Sequence, residues 1–112
     1  MFELSVEREF SAAHAITING RREPVHGHNW KVQVIVAGET LDGNGLLCDF
    51  HVIERDIDAI IGRFDNNDLN AMPPFDRVNP TAEHEAQHIG EEIAKKLPTG
   101  VTMLRTTVSE AP

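Results

Sequence analysis

Three histidines carry the first chemistry legible in the sequence. His26-Gly27-His28 sets two imidazoles at a period-two spacing, so that in an extended segment both point to one face and can grip one ion. Gly27 keeps the space between them open. His14 follows a first strand-like segment, and antiparallel pairing of that segment with the next brings His14 back beside the pair. Three imidazoles with an open fourth position describe a catalytic zinc site, whereas structural sites usually fill all four positions, often with cysteine. Cys48 is the only thiol. The expected group is therefore Zn2+ on His14, His26 and His28, although imidazole ligands also suit iron, nickel or copper. Taken alone, His14 reads as an ordinary histidine; the His-Gly-His pair argues otherwise.

A second pattern competes for the metal. His84-Glu85-Ala86-Gln87-His88 matches the H-E-x-x-H signature of zinc proteases and falls in a helical segment. The extended form of that signature fails, because Glu91 and Ala94 stand where it requires glycine and a third histidine. Glu110 is the remaining candidate ligand for such a site, and it lies on a strand. His84 and His88 are expected on the solvent face of their helix, with Glu91 and Lys95.

The elements that must position these groups follow from periodicity. Phe2 to Phe10 alternates as a half-buried strand, and His28 to Val36 alternates again with Trp30, Val32, Val34 and Val36 on one face. Asp42-Gly43-Asn44-Gly45 is a turn, Leu46 to Cys48 reads as a short strand, and Asp49 caps a helix over Phe50 to Phe64. Thr81 caps a second helix with a stripe of Ala82, Ala86, Ile89, Ile93 and Leu97, ended by Pro98-Thr99-Gly100. Val101 to Glu110 is a last strand. The order predicts an α+β domain over residues 1–112, built on an antiparallel sheet with two helices inserted before the last strand. Such a small sheet has open edges, and association of copies into a larger sheet or barrel covers them.

The formal charge of -8 over 112 residues argues against nucleic acid as a partner, since polyanion binding needs clustered Lys and Arg. Arg21-Arg22 is a basic doublet, enough for a small anion such as a phosphate ester or simply a solvated pair. No apolar run approaches the ~20 residues of a membrane span, and the N-terminal residues show no signal-peptide pattern. A cytoplasmic location and no membrane partner are expected, in keeping with a lone cysteine.

Beyond the histidines, Phe10-Ser11-Ala12-Ala13-His14, His26-Gly27-His28-Asn29-Trp30, Asp49-Phe50, Asp68-Leu69-Asn70, Asn79-Pro80-Thr81-Ala82-Glu83 and Glu110 occur in order along nearly the whole chain. Together they resemble the 6-pyruvoyltetrahydropterin synthase and 6-carboxytetrahydropterin synthase family. The resemblance implies the tunnelling fold, in which the sheets of three subunits join into a barrel and two barrels stack as a homohexamer with sites at subunit interfaces. It implies zinc on the three histidines, a small-molecule pterin, 7,8-dihydroneopterin triphosphate, as substrate, and Glu110 as the carboxylate that anchors the pterin. A carboxylate suits that role because it accepts two hydrogen bonds from an N–H edge.

The departures from the family pattern bear on the reaction. Synthases that make the pyruvoyl or carboxy product carry a cysteine base four residues before His-Gly-His, and Arg22 stands there. Their relay segment Leu-Asp-His reads Phe64-Asp65-Asn66, so Asp65 remains as an auxiliary and Asn66 cannot titrate. Glu23 resembles the glutamate that replaces the cysteine in a third type of the family. Those members are aldolases that release 6-hydroxymethyl-7,8-dihydropterin for folate synthesis. Glu23 also reads as a loop carboxylate beside Pro24. The resemblance therefore implies a zinc-dependent lyase with Glu23 and Asp65 as catalytic candidates. The alternatives are 6-carboxytetrahydropterin synthesis for queuosine, 6-pyruvoyltetrahydropterin synthesis, and a zinc- and pterin-binding protein without turnover.

Overall fold

The computed structural model describes residues Met1–Glu110. Two long strands dominate it, β1 (Phe2–His14) and β4 (His26–Gly38), separated by a hairpin of β2 (Thr17–Ile18) and β3 (Arg21–Arg22). Helix α1 (Phe50–Gly62), the short β5 (Asn67–Asp68), a 3-10 turn (Leu69–Ala71), helix α2 (Ala82–Ala94) and β6 (Thr102–Glu110) follow. The main sheet has the order β5-β1-β4-β6. Strands β1 and β6 both pair antiparallel with β4, and β5 lies parallel to β1 at Ala12 and Ala13.

Because alternate residues of a strand share a face, the even-numbered side chains of β1 and β4 form one inward stripe. Val6, Phe10, Trp30, Val32, Val34 and Val36 are all buried there, against Ile53, Ile57 and Ile60 of α1 and Ile89 and Ile93 of α2. Burying each such side chain contributes about 1.5–3 kcal/mol before entropy is counted. Arg8 interrupts the stripe, and its guanidinium reaches Glu54 (2.6 Å) and Asp58 (2.8 Å), one helical turn apart on α1. The opposite face of the sheet is polar, with Glu7, Glu9 and Lys31 exposed. The β-sheet, the two capped helices and the final strand agree with the sequence reading; Asp49 and Thr81 accept from the backbone N–H of His51 and His84 as caps.

Several boundaries differ. Strand β1 runs on to His14 rather than ending at Phe10, and β4 starts at His26, because the backbone ladder continues where apolar alternation stops. Leu46 to Cys48 forms no strand. Asp42 closes that loop by accepting from the N–H groups of Asn44 and Leu46, and Leu47 and Cys48 pack on the core from irregular backbone. Among the described residues no helix is long and apolar enough to cross a membrane.

Candidate metal and ligand site

His14, His26 and His28 continue the inward stripe past Trp30. The ladder pairs His14 with His26 and Ala12 with His28, so the three imidazoles leave the sheet on one face. Their candidate ligand nitrogens lie within 4.8 Å of one another, and among the described residues no other group of three or more His, Cys, Asp or Glu does so. Trp30 forms the floor, its ring edge-on to His14 at 4.8 Å and to His28 at 5.2 Å, with its indole N–H donating to the Ala12 carbonyl.

Backbone carbonyls choose the tautomers. His14 Nδ1 donates to the Pro80 carbonyl at 2.8 Å and His26 Nδ1 to the Pro24 carbonyl at 3.0 Å, which leaves each Nε2 with a free lone pair. His14 Nε2 and His28 Nε2 are buried and have no hydrogen-bond partner. Buried imidazole nitrogens of that kind are what a zinc ion satisfies, so these residues fit the metal.

Two carboxylates flank the histidines. Glu110, opposite Trp30 on β6, places Oε1 3.6 Å from His28 Nε2 and 3.9 Å from His14 Nε2. Glu23 sits on the other side, with Oε1 3.7 Å from His26 Nδ1, and the same oxygen accepts from the Ile16 N–H at 3.1 Å. Asp65 is elsewhere. Its Oδ1 accepts from the Ser11 N–H at 2.9 Å, on the outer edge of β1, and with Asn66 it lines a cleft on the polar face of the sheet. Asn66 follows in the left-handed region at φ 63°, a conformation asparagine tolerates better than most residues, and its N–H donates to the Ser11 carbonyl.

The H-E-x-x-H pair is engaged in other contacts. His84 Nδ1 donates to the Asn79 carbonyl at 2.6 Å, and His88 lies half-buried between the rings of Phe64 and Phe75, accepting from Arg63 at 3.4 Å. Burial holds the His88 pKa below its ordinary value. Neither side chain is on an open solvent face, because α2 rotates this edge toward the loop before it and toward α1.

Sequence reading missed the groups that hold His14 in place. Asn70 and Asn79 each clamp the backbone that leaves β1, their amides bonding both N–H and C=O of Ala15 and of Thr17 at 2.8–2.9 Å. Asp68-Leu69-Asn70 and Asn79-Pro80 were visible as motifs, but not their partners, which come from more than fifty residues away. A buried glutamate on α2, Glu85, was visible only as part of the protease pattern.

A family model described as 6-pyruvoyl tetrahydropterin synthase matches residues 3–112. A putative 6-carboxy-5,6,7,8-tetrahydropterin synthase of Archaeoglobus fulgidus is 33% identical over 107 residues, covering 96% of this chain and 86% of the relative. A dihydroneopterin monophosphate aldolase of Pyrococcus furiosus is 35% identical over 101 residues, covering 90% and 82%. The solved 6-pyruvoyl tetrahydropterin synthase of Plasmodium vivax superposes with a TM-score of 0.82 at 21% identity over 99% of this chain and 92% of that one. The tunnelling fold is therefore the fold of this chain.

Proposed function

The chain belongs to the 6-pyruvoyl tetrahydropterin synthase family, lyases acting on pterins, and on that premise we propose that it is a zinc-dependent aldolase. Its substrate is a phosphate ester of 7,8-dihydroneopterin, the triphosphate or a shorter ester. It cleaves the side chain to 6-hydroxymethyl-7,8-dihydropterin.

The observation that carries this reading is Glu23, a carboxylate standing beside the histidine cluster where the cysteine-type enzymes of the family have their base one position earlier, at Arg22. Cys48 packs at the far end of the core and takes no part. When bound by His14, His26 and His28, zinc supplies Lewis-acid stabilisation of negative charge on the substrate's side-chain oxygens. Glu23 accepts the proton of the second carbinol hydroxyl. The bond between the two carbinol carbons breaks, its electrons pass into the pterin ring, and the outer fragment leaves as an aldehyde with the phosphate. A proton returned to the first carbinol carbon completes the hydroxymethyl product. The identity of the Pyrococcus furiosus relative supports the same reaction class.

Glu110 faces the cluster with an exposed carboxylate and anchors the pterin edge. Arg22 and Arg77 line, with Thr17 and Asn79, a polar cleft of about 300 Å³ next to the Pro80 carbonyl that orients His14. Their guanidinium groups suit the phosphate. Asp65 stands on the outer edge of β1, so it serves as auxiliary to a neighbouring copy's site in a homo-oligomer whose sheets join edge to edge. The open edge of β6 is the complementary surface. A cytoplasmic location accompanies this reading.

The test is direct. Zinc-loaded protein is incubated with dihydroneopterin monophosphate and triphosphate and the products are identified by mass spectrometry. A 6-hydroxymethyl product is expected; a 6-carboxy or 6-pyruvoyl product would overturn the aldolase reading, and binding without product would leave a pterin-binding protein.

A further inference from the structure

Four buried side-chain atoms of the described residues have no hydrogen-bond partner: Nε2 of His14, Nε2 of His28, and both carboxylate oxygens of Glu85. The ligand role proposed above accounts for the two nitrogens. It does not account for Glu85, which is 1% exposed and begins the buried stripe that α2 continues with Ile89 and Ile93. An aliphatic side chain there would avoid the cost of desolvating a polar group without a partner.

Its position relates it to the site. Ala94 and Met103 line one cleft, and a Cβ on Gly90 would stand 2.7 Å from Thr106 Oγ1, so α2 runs antiparallel along β6. That direction carries the first turn of α2 over the end of β6, where Glu110 stands. Burial, with the charges of Glu110 and then Glu83 adding to it, pushes the Glu85 pKa up to about 8. Glu85 therefore holds a proton at neutral pH, and its O–H needs an acceptor. Glu83 is exposed and two positions away, a spacing that puts it on a different side of the helix. Glu110 is the other carboxylate acting on it.

We propose that Glu85 is a positioning residue: a buried carboxylic acid that donates its O–H to the Glu110 carboxylate and fixes the orientation in which Glu110 meets a pterin. The pairing is inferred from the two buried, unpartnered oxygens of Glu85 and from the direction of α2 along β6; its use in pterin binding rests on the function proposed above.

The experiment uses the zinc-loaded full chain, with neopterin as an unreactive probe in calorimetry and infrared spectroscopy to read the acid. Glu85→Leu is expected to fold with a raised melting temperature and to bind neopterin about tenfold more weakly, since a charge-assisted hydrogen bond to the anchor is gone. Glu85→Gln, whose amide keeps a donor, is expected to stay within about threefold of the parent protein. A folded Glu85→Leu protein with unchanged neopterin affinity overturns the positioning role. The infrared spectrum is expected to show a carboxylic-acid carbonyl band that Glu85→Gln removes and Glu110→Gln shifts. Without that band the pairing is wrong, whatever binds. If the band behaves as stated and the parent protein does not bind neopterin, the pairing stands and the pterin reading falls.

Discussion

His14, the last residue of β1, lies directly across the ladder from His26, the first residue of β4. Residues twelve apart in the chain thereby share one face of the sheet, and His28 joins them from the next inward position of the same strand. The candidate metal site is in this sense the open end of the hydrophobic stripe, with imidazoles replacing aliphatic side chains beyond Trp30.

The site assignment predicts a clean separation of the two histidine patterns. His14→Ala or His26→Ala reduces bound zinc from about one per chain to near zero, as read by metal analysis after gel filtration. His84→Ala and His88→Ala leave the metal content unchanged, because those rings bond to Asn79 and Arg63 instead. Loss of zinc from His88→Ala together with retention in His26→Ala would reverse the assignment.

Glu23→Gln removes the proposed base and keeps the acceptor that ties the loop to the Ile16 N–H. A fall in kcat of about 10²–10³ with zinc content unchanged is expected, as for loss of a general base. Steady-state kinetics with a dihydroneopterin phosphate ester provide the check, and unaltered turnover would leave Glu23 a loop carboxylate.

The Arg22–Arg77 cleft predicts discrimination by phosphate. Arg77→Ala raises KM for the phosphate ester by about tenfold while changing KM for unesterified dihydroneopterin little, as expected for one lost charge-assisted contact. Equal effects on both substrates would place the arginine outside the phosphate site.

Close packing of α2 on β6 is tested at Gly90, where a Cβ would meet Thr106 Oγ1 at 2.7 Å and Thr106 Cβ at 3.4 Å. Overpacking costs about 1–3 kcal/mol, and alanine's better helix propensity returns about 1 kcal/mol. Gly90→Ala is therefore expected to destabilise modestly in urea denaturation, and Thr106→Ala in the same chain to recover most of the loss.

Glu85 makes stability depend on pH with a defined sign. Its pKa is pushed from 4.5 in the unfolded chain to about 8 in the fold, so between those values the native state binds more protons than the unfolded state. Stability is fully present below the lower value and declines as pH rises toward the upper one, by about 1.4 kcal/mol per pH unit at most. Denaturation midpoints of Glu85→Gln should fall less steeply than those of the parent protein from about pH 5 to about pH 9. Parallel curves would mean that Glu85 titrates normally.

Much of this protein was determined by the sequence alone. Period-two alternation around Trp30, three- and four-residue spacing from Phe50 to Phe64, and caps at Asp49 and Thr81 sufficed for the elements, because each depends on neighbours within a few residues. The His-Gly-His spacing was legible for the same reason. What only the tertiary structure decided is long-range: the ladder extending to His14, the Pro80 carbonyl on its Nδ1, the asparagine clamps on Ala15 and Thr17, and the separation of Asp65 from the histidines of its own chain. Glu85 is the clearest case. In sequence it completes a protease motif, and only the packing of α2 on β6 turns it inward, because a helix position becomes core or surface according to the partner it meets.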